Sequence, residues 1–155
     1  MNLSKQIAKH LRDVYSGGNY AGVNLKETLA GVDWKMATSK FGSLNTILAL
    51  VYHINYYVIA VSKVLQGEPL NASDKFSFDH PKIQTEEEWK NFLYQFWADA
   101  ENLAALVEQL PESKFSEAFL DGKYGTYYRN IAGVVEHTHY HLGQIVLIKK
   151  LLSQQ

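Results

Sequence analysis

Two histidines stand four residues apart near the C-terminal end of the chain, in the stretch EHTHYHLGQ at positions 136–144. On an α-helix, His137 and His141 would lie about 40° apart on one face, separated by one turn. Imidazole is a frequent ligand of divalent transition metals, and two imidazoles placed in this way can bind one ion. The spacing therefore indicates a metal site, against the alternative that both are ordinary hydrogen-bonded histidines.

The helix face that carries this pair is apolar. On a helical wheel, Val134, Ile145 and Ile148 lie within about 80° of His137, whereas the charged residues of the same stretch lie outside that arc. The pair should therefore face the protein interior. His139, about 200° away from His137, should face outward or sideways.

A third histidine lies near the middle of another uncharged helical stretch. His53 shares its face with apolar residues and should also point inward. Inside a bundle, this residue and the pair can converge on one ion. Three protein ligands would leave positions open for water or substrate, whereas a closed structural site usually has four. Glu136, Gln144 and Tyr56 are further candidates for contacts at the site.

Helical periodicity accounts for most of the chain, and no alternating pattern predicts a strand. The predicted helices cover 3–15, 44–65, the segment from the capping box at Thr85 to Pro111, and 126–152, with an irregular connection over 19–41 that could contain a helical turn at 25–30. The connection over 66–84 exceeds the usual length of about 2–8 residues, so it can run the length of a bundle. We predict an all-α fold: one domain over 1–155, a four-helix bundle with a long crossover between its second and third helices.

Two local features refine this prediction. Ser43 is a suitable N-cap for the helix over 44–65. Gly133 and Gly143 interrupt the last helix, where each glycine costs about 1 kcal/mol relative to alanine. Close approach of a neighbouring helix near the histidine pair would compensate for this cost.

The amino-acid composition excludes several classes of function for this protein. The 155 residues include 46% apolar and 20% charged residues, with a net charge of −1, and they show no basic stripe that would indicate nucleic-acid binding. The chain has no cysteine, which excludes disulfides, thiolate-ligated zinc and a protein thiol nucleophile. This fits a cytoplasmic protein, and the N-terminus lacks the apolar core of a signal peptide. The uncharged stretch 41–62 contains polar residues that bilayers penalise, so we expect a buried helix rather than a membrane span.

The histidine stretch also resembles a known family. Together with His53, the run at 137–144 resembles the DinB-like metal-binding proteins, also described as bacillithiol-transferase-like, and the resemblance covers the whole chain. The family's usual run is a histidine, three residues and a second histidine, often followed by Arg-Gly-Gln. This chain keeps both histidines and the Gly-Gln pair. It has Leu142 where the family often has arginine, and Tyr140 where many members have another histidine.

The resemblance implies a bundle with up-down-down-up helix order and often a homodimer. It also implies a divalent metal ion held by His53, His137 and His141, with water completing the shell. Zinc or nickel is the favoured ion, and manganese, iron, cobalt or copper stays open because imidazole suits several of them. Characterised members include metal-dependent thiol transferases and a mycothiol-dependent isomerase, and many members have no assigned reaction. The family name reflects induction by DNA damage and implies no nucleic-acid partner.

Three functional hypotheses remain open at this stage. In the first, the metal holds a low-molecular-weight thiol as thiolate, which attacks a small electrophile, or it activates water for hydrolysis. In the second, the protein is a non-catalytic stress-response or binding protein whose metal joins two helices and stabilises the fold. In the third, the bundle is metal-free and acts through an interface.

Overall fold

The computed structural model describes residues 2–154, which form helices joined by loops. The helices are α1 (Leu3–Ser16), α2 (Leu25–Leu29), α3 (Trp34–Thr38), α4 (Ile47–Leu65), α5 (Glu86–Gln109) and α6 (Tyr127–Leu152), with single 3₁₀ turns at Asp74–Phe76 and Glu112–Ser116. Within 2–154 no strand is formed, and one isolated antiparallel bridge joins Ala118 to Thr126. The prediction of an all-α protein is confirmed, with four long and two short helices.

Polar side chains cap the start of every α-helix. Each cap accepts a hydrogen bond from a backbone N–H of the first turn, and the six caps are Asn2, Asn24, Asp33, Thr46, Thr85 and Thr126. Such a cap satisfies one of the amides that the helix itself leaves unpaired. The predicted capping box of α5 is present, because the side chain of Glu88 also bonds back to the Thr85 backbone.

The start of α4 differs from the sequence prediction. The helix begins at Ile47 rather than at position 44, and Thr46 replaces Ser43 as its cap. The Thr46 hydroxyl accepts the N–H of Ala49 at 3.1 Å. The preceding residues form a separate turn, in which the N–H of Leu44 bonds to the carbonyl oxygen of Phe41 at 3.1 Å. The short helix α3 was not predicted either, because five residues are too few to show a helical period.

The four long helices share one apolar core. α1 packs against α5, and α4 packs against both α5 and α6. The largest fully buried side chains include Leu11, Ile54, Trp89, Phe96 and Ile131. Burial of an aliphatic or aromatic side chain of this size contributes about 1.5–3 kcal/mol. This core fixes the spacing between α4 and α6, the two helices that carry the predicted metal ligands.

Polar contacts show that α1 and α5 run in opposite directions. At one end, the hydroxyl of Ser4 donates to the carbonyl oxygen of Leu110 at 2.6 Å. Further along α1, the guanidinium of Arg12 pairs with Glu101 at 2.7 Å and with Glu108 at 2.8 Å. The N-terminal end of α1 therefore lies beside the C-terminal end of α5.

Helix α4 is the most apolar helix of the protein. By length and composition alone it could cross a membrane, but 67% of its most apolar window is buried inside the protein. It contacts α3, α5 and α6 along its length. This burial supports the prediction that the uncharged stretch is a core helix.

The two glycines of α6 do not mark close contacts between helices. A Cβ atom at Gly143 would meet nothing within 4 Å, and one at Gly133 would meet only the guanidinium of Arg129. The expectation of a closely approaching helix is therefore wrong at both positions. Gly143 is exposed to solvent, and no contact compensates for its conformational cost.

Candidate metal centre

The three predicted ligands meet where α4 packs against α6. Nε2 of His137 lies 3.0 Å from Nε2 of His53 and 3.0 Å from Nε2 of His141. His53 and His141 are each 7% exposed, and His137 is half-buried. One nitrogen from each ring could therefore bind the same ion.

Hydrogen bonds fix the orientation of two of the three rings. Nδ1–H of His141 donates to Oε1 of Gln144 at 2.7 Å. Nδ1–H of His53 donates to the hydroxyl of Ser77 at 3.0 Å, and that hydroxyl donates onward to the carbonyl oxygen of Asp74 at 2.7 Å. A proton held at Nδ1 leaves the lone pair on Nε2, which is the arrangement typical of metal-bound histidine.

The two separations measured from His137 fit a divalent metal ion, and all three candidate nitrogens lie within 4.8 Å of one another. Nitrogen lone pairs directed at one point repel each other unless a cation, or a proton on one of the nitrogens, lies between them. Two nitrogen ligands with bonds of about 2.0–2.1 Å to one ion lie about 2.8–3.4 Å apart, for bond angles between about 90° and 110°. The two observed separations of 3.0 Å fall in this range. A set of three imidazoles suits zinc, nickel and other late transition metals.

Burial keeps the three imidazoles neutral. It lowers the pKa of His137 to about 4, with further lowering from the nearby His141 and His53. Burial also lowers the pKa of His53 and of His141. Neutral imidazole is the form that binds metal, so at neutral pH no proton has to leave before an ion binds.

The crossover between α4 and α5 covers one side of the cluster. The ring of Phe78 stacks on the ring of His53, with centroids 4.0 Å apart and planes 10° apart. The hydroxyl of Tyr57 donates to the carboxylate of Asp74 and ties the 3₁₀ turn to α4. Burial and this bond raise the pKa of Tyr57 to about 12, so it stays a phenol. With the fully buried Ser77, these residues orient His53 and shield it from water.

The sequence did not indicate these crossover residues. Asp74, Ser77 and Phe78 lie in a loop, where no periodicity reports which side chains turn inward. The length of the crossover was the available signal, because a long loop on a bundle can fold back over a site. The role of a particular serine or phenylalanine in it depends on tertiary contacts.

The additional contacts predicted for the site have mixed outcomes. Gln144 does contact the cluster, through its bond to His141. The hydroxyl of Tyr56 instead bonds to the backbone of Ser73 in the crossover. Glu136 is exposed and its carboxylate lies 3.6 Å from the guanidinium of Arg129 rather than at the histidines.

An open cavity adjoins the histidine cluster. Its volume is about 510 Å³, and its lining includes His53, His137, Tyr57, Asp74, Tyr124, Arg129 and Asn130. Sites for small molecules typically have volumes of about 300–1,000 Å³. A slightly larger surface cavity of about 580 Å³ lies between α2 and the end of α6, but it contains no histidine and shares no lining residue with the cavity beside the cluster. The smaller cavity is the better candidate for a ligand because two of the three clustered histidines line it.

Comparison with models of protein families, with curated proteins and with solved structures found no match. The resemblance to the DinB-like proteins therefore stays a prediction. What supports a function is the chemistry of the site itself: three neutral imidazoles beside a cavity of small-molecule size.

Proposed function

We propose that this protein is a DinB-like, metal-dependent thiol transferase. His53, His137 and His141 hold one divalent ion, zinc or nickel, and a small thiol reacts with a small electrophile in the adjoining cavity. The observation that carries the proposal is the convergence of three Nε2 atoms beside the 510 Å³ cavity, whose wall includes His53 and His137. Three ligands leave coordination positions open, and the cavity gives a second molecule access to them.

The chemistry follows from the ligand set and the absence of a protein thiol. A divalent ion held there would lower the pKa of a thiol that binds to it and so supply thiolate at neutral pH. The sulfur electron pair forms a bond to the electrophilic carbon while the bond to the leaving group breaks. The leaving group departs with that bond's electron pair and the thiol proton goes to solvent, so that RSH and R′X give RSR′ and HX. Because the chain has no cysteine, the thiol is a cosubstrate.

The up-down-down-up order of α1, α4, α5 and α6 belongs to the same proposal. It is supported by the opposite directions of α1 and α5. It is also supported by the neighbours of α4: Leu50 lines a cavity with Leu147, whereas Val61 lines another with Arg129. Helices α4 and α6 therefore run in opposite directions too. A cytoplasmic homodimer, with no membrane or nucleic-acid partner, remains the expected state of the protein.

The first test is the metal content of untagged protein, measured by elemental mass spectrometry. We expect about one ion per chain, and none in the variant in which His53, His137 and His141 are all replaced by alanine. His139→Ala is the matched control, because this histidine lies on the same helix and its Nδ1 bonds to the carbonyl oxygen of Val135 instead of joining the cluster. The control should retain the full metal content.

The second test separates a catalytic from a structural metal. Metal-loaded protein is mixed with small thiols and monochlorobimane, and we expect turnover that chelation abolishes and added metal restores. A large drop in melting temperature on chelation, with no turnover for any thiol or metal, would instead show that the ion only joins α4 and α6. That outcome would refute the transferase proposal.

A further inference from the structure

Arg129 is the one permanently charged cation in the lining of the cavity beside the histidines. It lies in the first turn of α6, two helical turns before His137. The cavity's carboxylate, Asp74, bonds to Tyr57, and no ion pair joins it to Arg129 among the described residues. The guanidinium therefore gives the cavity a positive group that forms no direct ion pair with a residue lining the cavity.

The guanidinium of Arg129 occupies space that a side chain at position 133 would take. A Cβ atom on Gly133 would lie 2.9 Å from Nη1 of Arg129, which is too close for both to keep their places. The guanidinium thus lies along α6 at the level of residue 133. Four residues of helix correspond to a rise of about 6 Å, so the guanidinium stands about that far along the axis from His137.

The present partner of Arg129 is easily displaced. The carboxylate of Glu136 lies 3.6 Å from Nη1, and the two side chains are 65% and 71% exposed. An exposed ion pair of this kind contributes about 0–1 kcal/mol. Guanidinium has five donors in a planar fork that can bind a carboxylate with two parallel hydrogen bonds. A ligand carboxylate in the cavity would therefore compete well with Glu136.

We propose that Arg129 selects the thiol cosubstrate by binding its carboxylate group. The cosubstrate is then a small thiol whose sulfur and carboxylate are separated by a few bonds, so that the sulfur reaches the histidine cluster while the carboxylate meets the guanidinium. This inference rests on the proposed transferase function. It adds the chemical class of the thiol and the residue that recognises it.

The test compares two thiols of equal length on zinc-loaded protein. The probes are 3-mercaptopropionate and its neutral counterpart 3-mercaptopropan-1-ol, and their dissociation constants are measured by isothermal titration calorimetry. We expect tighter binding of the carboxylate. Because the Arg129 side chain is 65% exposed, Arg129→Gln should weaken the carboxylate's binding about three- to fivefold and leave the alcohol's binding within about twofold.

Matched variants separate recognition from general electrostatics. Lys123→Gln removes an equal charge from the loop before α6 and should leave the ratio of the two constants unchanged. Gly133→Ala keeps the charge of Arg129 but displaces its guanidinium, so it should lower the ratio. Glu136→Gln removes the competitor and should tighten binding of the carboxylate up to about fivefold. Metal content should be the same in all four variants.

The outcomes distinguish this inference from the function on which it rests. If both thiols bind and the ratio is the same in the wild type and in Arg129→Gln, the role of Arg129 is refuted and the transferase proposal stands. If neither thiol binds to metal-loaded protein, the transferase proposal itself fails and the inference falls with it.

Discussion

The bond between His141 and Gln144 allows a sharp test of the metal site. The amide oxygen of Gln144 accepts the Nδ1 proton of His141 at 2.7 Å and so holds the ring in the tautomer whose Nε2 is free to bind. In Gln144→Leu, that acceptor is lost while the volume of the side chain is kept. The other tautomer, with its proton on Nε2, then competes with metal binding.

The expected effect is a 10- to 100-fold loss of metal affinity, since this is the usual cost of losing such an outer partner. It corresponds to about 1.4–2.7 kcal/mol of binding free energy. Leucine is preferable to alanine because Gln144 also lines a small cavity of about 300 Å³. A shortened side chain there would admit a water molecule, which could replace the missing acceptor.

The affinity is measured by competition between the protein and a chromophoric chelator for zinc. Gln144→Glu is the matched control, because its carboxylate still accepts the Nδ1 proton and should retain the affinity within a few fold. Gln95→Leu makes the same substitution on α5, where the amide bonds to Asp99 and to no histidine of the cluster, so it should leave the zinc affinity unchanged. Equal zinc affinity in the wild type and in Gln144→Leu, with both proteins folded, would refute the argument that tautomer control strengthens this site.

Three further predictions concern pH, stability and access. Because the pKa of His137 falls to about 4 in the folded state and is about 6.5 when unfolded, the metal-free protein should lose stability as pH falls from about 6.5 to 4. After allowance for partial exposure, the free energy of unfolding should be about 1–2 kcal/mol lower at pH 4 than at pH 6.5, as measured by urea titration at each pH. An equal free energy of unfolding at the two pH values would contradict this. Gly143→Ala should raise the free energy of unfolding by about 0.5–1 kcal/mol, because a Cβ there meets nothing within 4 Å; a lower value would show a hidden contact. Phe78→Ala should speed metal release to a chelator in stopped-flow measurements, since the stacked ring shields His53; an unchanged rate would show that the crossover does not limit access.

Much of the fold could be predicted because its determinants are local. The capping box at Thr85 and the cap at Thr126 act within a single turn, so the sequence displays them directly. The start of α4 was harder to predict, since Ser43 and Thr46 are both good caps three residues apart. The choice between them depends on the turn over 41–44, which is closed by the backbone bond from Leu44 to Phe41 and in which Gly42 has a positive φ of 56°.

The histidine cluster was predictable for a similar reason, whereas its surroundings were predictable only in part. Helical spacing alone places His137 beside His141, and the apolar pattern of α4 turns His53 inward. The hydrogen-bond partners of the Nδ1 atoms of His141 and His53 differ in how far away they lie in the sequence. Gln144 is three residues from His141 on the same helix and could be found from spacing, whereas Ser77 reaches His53 from a loop 24 residues away in sequence.

Mutations should therefore be able to change the metal affinity of the site and its preference among thiols independently. His53 and His137 line the cavity, whereas His141 does not and is held from behind by Gln144. Substitution of Gln144 should change how tightly the ion binds without changing which thiol is preferred. Substitution of Arg129, which lines the cavity, should change the preferred thiol without changing the affinity for the ion.

The double variant, with Gln144 and Arg129 both substituted, should show both effects at full size, because residues that share no partner contribute additively to binding free energy. A strong interaction between the two substitutions would mean that ligand recognition and metal binding are coupled. His137 would then be the first residue to test as the link, because it lines the cavity and its Nδ1 has no partner among residues 2–154.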